Sequence, residues 1–314
     1  LRKAIADKVA ALYDAVYDPE TEVTVTSGAT EALYAAITAV VRPGDEVVIV
    51  EPAYDAYEPA VRLNGGRAVF VPMTFPGYRM DWEQVRQAVS DRTRLLILNS
   101  PHNPTGRVFT AEDAAQLKTL VAGSNLFILS DEVYEHIVFD GRDHFSMAGD
   151  PELRRRSFVV SSFGKTYHAT GWKIGYCLAP APLSAELRKV HQYLTFASNT
   201  PIQMALADYL ARHTDHLALS DFYQEKRDLF VSLLGPSRFR PLPCEGTYFQ
   251  MVDYAAISDE PDTVFARRIT IDHGVAAIPP SVFYHQGNDH RVLRFCFAKN
   301  DATLKEAAEA LCRI

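Results

Sequence analysis

A lysine that closes an apolar run is the first residue of this 314-residue chain that invites chemistry. Lys165 ends Ser161-Ser-Phe-Gly-Lys, directly after the strand-like run 158–160. An amine held there between small residues can attack a carbonyl or carry a proton. Two common signatures fail at the same place. Lys165-Thr166 after Gly164 resembles the end of a P-loop, but the first glycine of that motif would fall at Val159, and no GxGxxG occurs. Ser162-Phe-Gly-Lys165 fits the SxxK of serine hydrolases, whose companion SDN and KTG motifs are missing.

Three more clusters follow apolar runs in the same way. Asn99-Ser-Pro-His-Asn-Pro-Thr-Gly106 follows 95–98, and Ser130-Asp-Glu-Val-Tyr134 follows 126–129. Thr26-Ser-Gly-Ala-Thr-Glu31 follows 23–25 and opens a helix. Ligands of open α/β sheets bind just past the carboxyl ends of strands. The four clusters therefore bring a lysine, an acid, an amide, a phenol and a helix start to one crevice. Gly28, Ala29 and Thr30 begin that helix, where free N–H groups and the dipole attract an anion. Each candidate also has a plainer reading. Asp131 can cap a helix, Asn103-Pro104 can be only a turn, and Ser162 can merely end its strand. Tyr54, in EPAYDAYEP, can be loop packing. Arg294, inside an apolar run, is costly unless paired; it serves either a ligand or a structural salt bridge, with Arg291 its nearest competitor. His136, Asp140 and His144 are four apart, but Gly141 intervenes, so no metal site is expected.

The elements that must position these residues follow from periodicity. Ile5, Val9, Leu12 and Val16 predict an amphipathic helix near 3–17. Short, mostly continuous apolar runs at 47–50, 68–71, 95–98, 126–129, 158–161 and 174–178 read as strands covered on both faces. Helical patterns such as 111–121 lie between them, which predicts an α/β fold with a mostly parallel central sheet wrapped by helices. After residue 182 a helical region, 183–234, contains Pro201 as its only breaker. Strand-like stretches at 247–252, 274–278 and 292–298 and a helix at 302–313 predict a smaller C-terminal α+β domain. The expected division is a large domain at 18–182, a long helical connection at 183–210, and a small domain at 211–314 joined by the helix 1–17.

Composition narrows the classes. The chain is 47% hydrophobic and 23% charged, and no apolar run approaches the ~18 residues that would suggest a membrane span. A formal charge of −7 argues against nucleic acid as partner, and Arg154-Arg155-Arg156 reads as solvated surface. Cys177, Cys244, Cys296 and Cys312 form no CxxC pair and read as buried, reduced thiols of a cytoplasmic protein. No export leader is present, yet the sequence starts at Leu1 within a helical pattern, so a preceding segment is expected.

The ordered motifs SSFGKTYHATGWKIGY (161–176), NSPHNPTG (99–106) and SDEVYEH (130–136) point further. With PCEGTYF (243–249), GVAAIPPSVFY (274–284) and LRFCFAKNDATL (293–304), the chain resembles the fold-type-I, class I/II aminotransferases over essentially its whole length. It is most similar to their methionine aminotransferase and kynurenine/glutamine transaminase branch. The resemblance implies pyridoxal 5'-phosphate as cofactor, carried by Lys165, which also moves the substrate proton. It implies Asp131 at the pyridine nitrogen, Asn103 and Tyr134 at the ring's phenolic oxygen, and Tyr54 stacked on the ring. Gly28, Ala29, Thr30, Ser162 and Lys173 would hold the phosphate. Arg294, with Asn103, would hold the substrate carboxylate, and Phe196 would reach into the pocket of a homodimer partner, where simple packing is its rival. The implied reaction moves an amino group from a neutral, sizeable amino acid to a 2-oxo acid. A C–S β-lyase, or the aminotransferase-like sensing domain of a transcription regulator, are the alternatives.

Overall fold

Burial on both faces decides how the first half of the chain stacks. The computed structural model describes residues 1–314. In chain order it builds α1 (Arg2–Tyr13), β1 (Val23–Thr26), α2 (Ala29–Val40), β2 (Glu46–Glu51), α3 (Tyr57–Leu63) and β3 (Arg67–Pro72). Next come α4 (Trp82–Ala88), β4 (Thr93–Asn99), α5 (Ala111–Val121), β5 (Phe127–Asp131), β6 (Ser157–Ser162), α6 (Phe163–Thr166) and β7 (Gly175–Leu178). The second half contains α7 (Ala181–Leu194), α8 (Thr200–Leu210), α9 (Leu219–Leu233), β8 (Arg240–Pro241), β9 (Phe249–Asp253), α10 (Asp262–His273), β10 (Val292–Cys296) and α11 (Asp301–Leu311).

Alternate residues of a strand face opposite sides of its sheet. Val47, Ile49, Leu95, Ile97, Leu129 and Phe158 pack with Leu33 and Ile37 of α2 and Leu187 of α7. Val48, Val50, Leu96, Leu98, Ile128 and Val159 pack on the other face with Ile5 and Val9 of α1 and Leu117 of α5. Apolar side chains on both faces are why these strands read as continuous runs. The resulting seven-stranded sheet has the order β1-β7-β6-β5-β4-β2-β3. It is mostly parallel; β7 alone runs against its neighbours β1 and β6. The chain from β6 to β7 holds only α6 and one 3-10 turn, so it turns straight back. Lys165 sits in that return.

A second, antiparallel sheet, β10-β9-β8, packs against α9, α10 and α11 through Phe230, Phe265, Ile269, Phe295 and Leu304. Tyr134, Ile137 and Phe139, just after β5, belong to this second core. The segment leaving Asp131 is thus fastened to both units. From the other side, α1 holds it through a buried pair, Lys8 Nζ to Glu135 Oε1 at 2.7 Å, with Tyr13 and Ser161 also donating to Glu135 at 2.6 Å. Burial alone would raise the Glu135 carboxyl, but Lys8 overrides it and holds it well below the usual range.

Several sequence expectations need correction. The first helix stops at Tyr13, where Asp14 turns into the left-handed region, and Val16 is exposed. The helical stretch 183–234 is three helices. Phe196 has φ 67°, which ends α7, and Asn199 caps α8 by accepting from the Ile202 N–H at 3.1 Å. Pro201 lies in the first turn of α8, where its missing N–H costs nothing, so it starts a helix and does not break one. A second interruption precedes α9. Residues 274–278 are not a strand; Ile278 alone bridges Arg294. Cys177 and Cys244 are buried, but Cys296 and Cys312 are exposed. Cys296 is the last residue of β10, where the strand leaves its core. No helix is long and apolar enough to cross a membrane.

Candidate active site

The strand ends put the four clusters on one edge. β4, β5 and β6 run parallel, and β1 points the same way because β7 opposes both β1 and β6. Their carboxyl ends open on a cavity of about 510 Å³. Gly28, Ala29, Thr30, Tyr54, Asn103, Asp131, Tyr134, Ser162, Lys165, Lys173 and Arg294 all line it. Phe196 does not; it is 78% exposed at the surface.

At one end lies the start of α2. Gly28 has φ 79° and no side chain caps the helix, leaving the first-turn N–H groups without carbonyl partners in the helix. A Cβ at Gly28 would lie 3.5 Å from Lys173 Cε and Nζ, so the ammonium sits directly over this turn. Gly175 permits the close approach: a Cβ there would fall 2.7 Å from the Ala29 nitrogen. Backbone donors, the Ser162 hydroxyl and a cation around one spot suit a phosphate.

Asp131 is the last residue of β5, and no helix starts after it, which removes the capping alternative. Its Oδ2 accepts from the Tyr57 hydroxyl at 2.6 Å, and its backbone carbonyl accepts from Asn99 Nδ2 at 2.8 Å. Burial pushes its carboxyl up to about 6, against the lowering effect of Tyr57. It forms no salt bridge, so a buried acid faces the cavity in want of a cationic partner. Asn99 Oδ1 accepts from the Asn103 N–H at 2.8 Å, which fixes the loop presenting Asn103. Tyr134 is buried, edge-on to Tyr248 at 5.2 Å, and burial raises its phenol. Lys165 Nζ lies 5.9 Å from the Tyr248 ring centre and makes no ion pair.

Arg294 faces these groups from the second sheet. Its Nη1 donates to Asn103 Oδ1 at 2.6 Å, and its guanidinium stacks 4.0 Å over Phe249 and 5.2 Å from Phe283. Nε has no partner, and no carboxylate pairs with the group, so the structural salt bridge is absent. Arg291 instead pairs with Asp259 at 2.6 Å, away from the cavity. Sequence reasoning gave no role to Asn99, Tyr57, Tyr248, Phe249 or Phe283. All five lie inside quoted motifs, but only the folded packing separates them from their neighbours.

The chemistry of this set fits pyridoxal phosphate: an anion cradle, an unpaired amine, a buried acid and a cation poised over aromatic faces. The family model for aminotransferase class I and II matches residues 1–311. The chain belongs to this family. Among curated relatives, methionine aminotransferase of Escherichia coli is 54% identical over 99% of this chain and 81% of its own length. Kynurenine–oxoglutarate transaminase of Dictyostelium discoideum is 33% identical over all of this chain and 81% of its own. A crystal structure of the E. coli methionine aminotransferase superposes with a TM-score of 0.98, covering all of this chain and 82% of that one. A Thermus thermophilus aspartate aminotransferase mutant, 29% identical, reaches 0.90, covering 99% and 80%. This aminotransferase is a fold-type-I, pyridoxal-phosphate-dependent enzyme. The cofactor, when bound, supplies an aldehyde that links to the substrate nitrogen and a ring that takes up the electrons freed at Cα.

Proposed function

We propose that this aminotransferase takes its amino group from a neutral, sizeable amino acid such as methionine, an aromatic residue, glutamine or kynurenine. The observation that carries the reading is the cation count of the cavity. Arg294 is its only arginine, and Lys165 and Lys173 its only other basic residues. In the proposed roles Lys173, Ser162 and the Gly28–Ala29–Thr30 turn hold the phosphate. Lys165 anchors the cofactor and moves the Cα proton. Asp131 keeps the ring nitrogen protonated, Asn103 and Tyr134 donate to the phenolic oxygen, and Tyr54 stacks on the ring. Arg294 grips the α-carboxylate that every donor shares. No cation then remains for a distal carboxylate, while Ile278, Val282, Phe249 and Phe283 offer apolar walls.

The homodimer is part of the same proposal. Tyr193 and Phe196 are 86% and 78% exposed, and residues 190–211 contain no Lys or Arg. Offered to a partner's pocket, this segment supplies aromatic surface and no second cation. An unpaired carboxylate buried there costs several kcal/mol, whereas a buried apolar side chain gains roughly 1.5–3 kcal/mol. We expect kcat/KM for methionine, phenylalanine and glutamine to exceed that for aspartate by about a hundredfold or more. Aspartate turned over at or above the others would refute this substrate class.

A further inference from the structure

Tyr57 opens α3 behind the cavity wall, touching no space that a substrate would fill, yet it is bonded to the acid at the centre of the site. Its buried hydroxyl donates to Asp131 Oδ2 at 2.6 Å, and its ring meets Tyr54 edge-on with centres 5.7 Å apart. The other carboxylate oxygen, Oδ1, has only the distant Val133 N–H at 3.4 Å. We propose that Tyr57 is a positioning residue for transamination: its hydroxyl fixes the rotation of the Asp131 carboxylate and favours its ionised form, leaving Oδ1 for the protonated ring nitrogen. The inference rests on Asp131 being the ring-nitrogen partner.

The physical case is one of donor chemistry. Burial and the neighbouring Asp131 charge raise the Tyr57 phenol, so it stays a donor throughout the working pH range. A hydrogen bond to an ionised oxygen is roughly twice as strong as one to a neutral oxygen, so the contact favours the carboxylate. The opposing force is burial, which drives Asp131 towards the neutral acid. Glu132, on the same segment, adds to that drive, and Lys165, in the return after β6, opposes it. A neutral Asp131 cannot hold a proton on the ring nitrogen. Tyr57 also touches Tyr54, so one side chain braces both the acid and the proposed stacking ring.

Tyr57→Phe removes the hydroxyl and keeps the ring. It should lower kcat by about 10- to 100-fold, the worth of a hydrogen bond to a charged group. The acid limb of the pH–kcat profile should move up by about one unit, because loss of the donor raises the Asp131 carboxyl. Affinity of the cofactor-free protein for pyridoxal phosphate should fall, read by fluorescence titration. The deciding comparison is the double-mutant cycle. In an Asp131→Asn background, Tyr57→Phe should change neither kcat nor cofactor affinity further. Equal losses in both backgrounds, or an unmoved acid limb, would overturn the inference. Near wild-type turnover of Asp131→Asn alone would instead remove the ring-nitrogen reading on which it rests. Should Tyr57→Phe not fold, replacing Tyr57 by 3-fluorotyrosine keeps ring and hydroxyl and strengthens the donor. The acid limb should then move to lower pH; an unchanged or raised limb counts against the proposal.

Discussion

The two walls of the cavity hold their polar groups in different ways. On the large sheet, Asp131, Asn99 and Asn103 are tied to one another and to Tyr57 by bonds of 2.6–2.8 Å. Behind them Lys8 and Glu135 brace the same segment. On the second sheet, Arg294 has one hydrogen bond, two aromatic faces and an Nε with no partner. The first wall's groups are held in place by bonds within the chain, with Asp131 Oδ1 left open towards the cavity. The second is left with donor capacity that a ligand can use. The contrast teaches that the reacting end is set by the fold, whereas the recognition end is finished by what binds.

The sharpest way to break this contrast is Asp131→Asn. It keeps the shape of the rigid wall but removes the charge, so kcat should fall by about 10²–10³, as when a preorganised electrostatic group is lost. Steady-state kinetics should show the loss mainly in kcat; an effect confined to KM would contradict the assignment.

Arg294→Lys tests the second wall. It keeps a cation but loses the fork and the stacking over Phe249, so kcat/KM should fall by about 10- to 100-fold, largely through KM. Cofactor affinity of the cofactor-free protein should hardly move. A matching loss in cofactor affinity would show that the two walls are not separate.

The smallest effect belongs to Phe196→Ala. The side chain is 78% exposed in its own chain, so the packing of that chain's core is untouched and the unfolding temperature should fall by no more than a few degrees, roughly the loss of one interface contact. Its proposed partner's pocket should lose less than about tenfold in kcat/KM, the worth of one partly buried apolar side chain. An unchanged kcat/KM would mean that Phe196 does not reach the partner's pocket.

The same contrast explains what could be read in advance. The residues at the ends of β4, β5 and β6 were legible because each ends a continuous apolar run, whereas β1, Val-Thr-Val-Thr, was marked by the small-residue helix start that follows it. Periodicity also gave α5 its full extent. It failed where short polar residues compete with helix. Thr195, Ser198 and Asn199 split the stretch after α7, and apolar spacing alone does not register such caps. It failed again at 274–278, where Val275 packs into the second core and Ile278 alone bridges Arg294 at the cavity, so the composition resembles a strand without the ladder. Tyr57 escaped because its partner lies 74 residues away, and no local signal separates it from Tyr54.

All of this depends on Lys165 being the residue that carries the cofactor. Borohydride reduction of the yellow holoenzyme, followed by peptide mapping, tests that most directly. A single pyridoxyl label is expected, on Lys165, with no label or turnover after Lys165→Ala. A label on Lys173 or any other lysine, or turnover that survives Lys165→Ala, would contradict it.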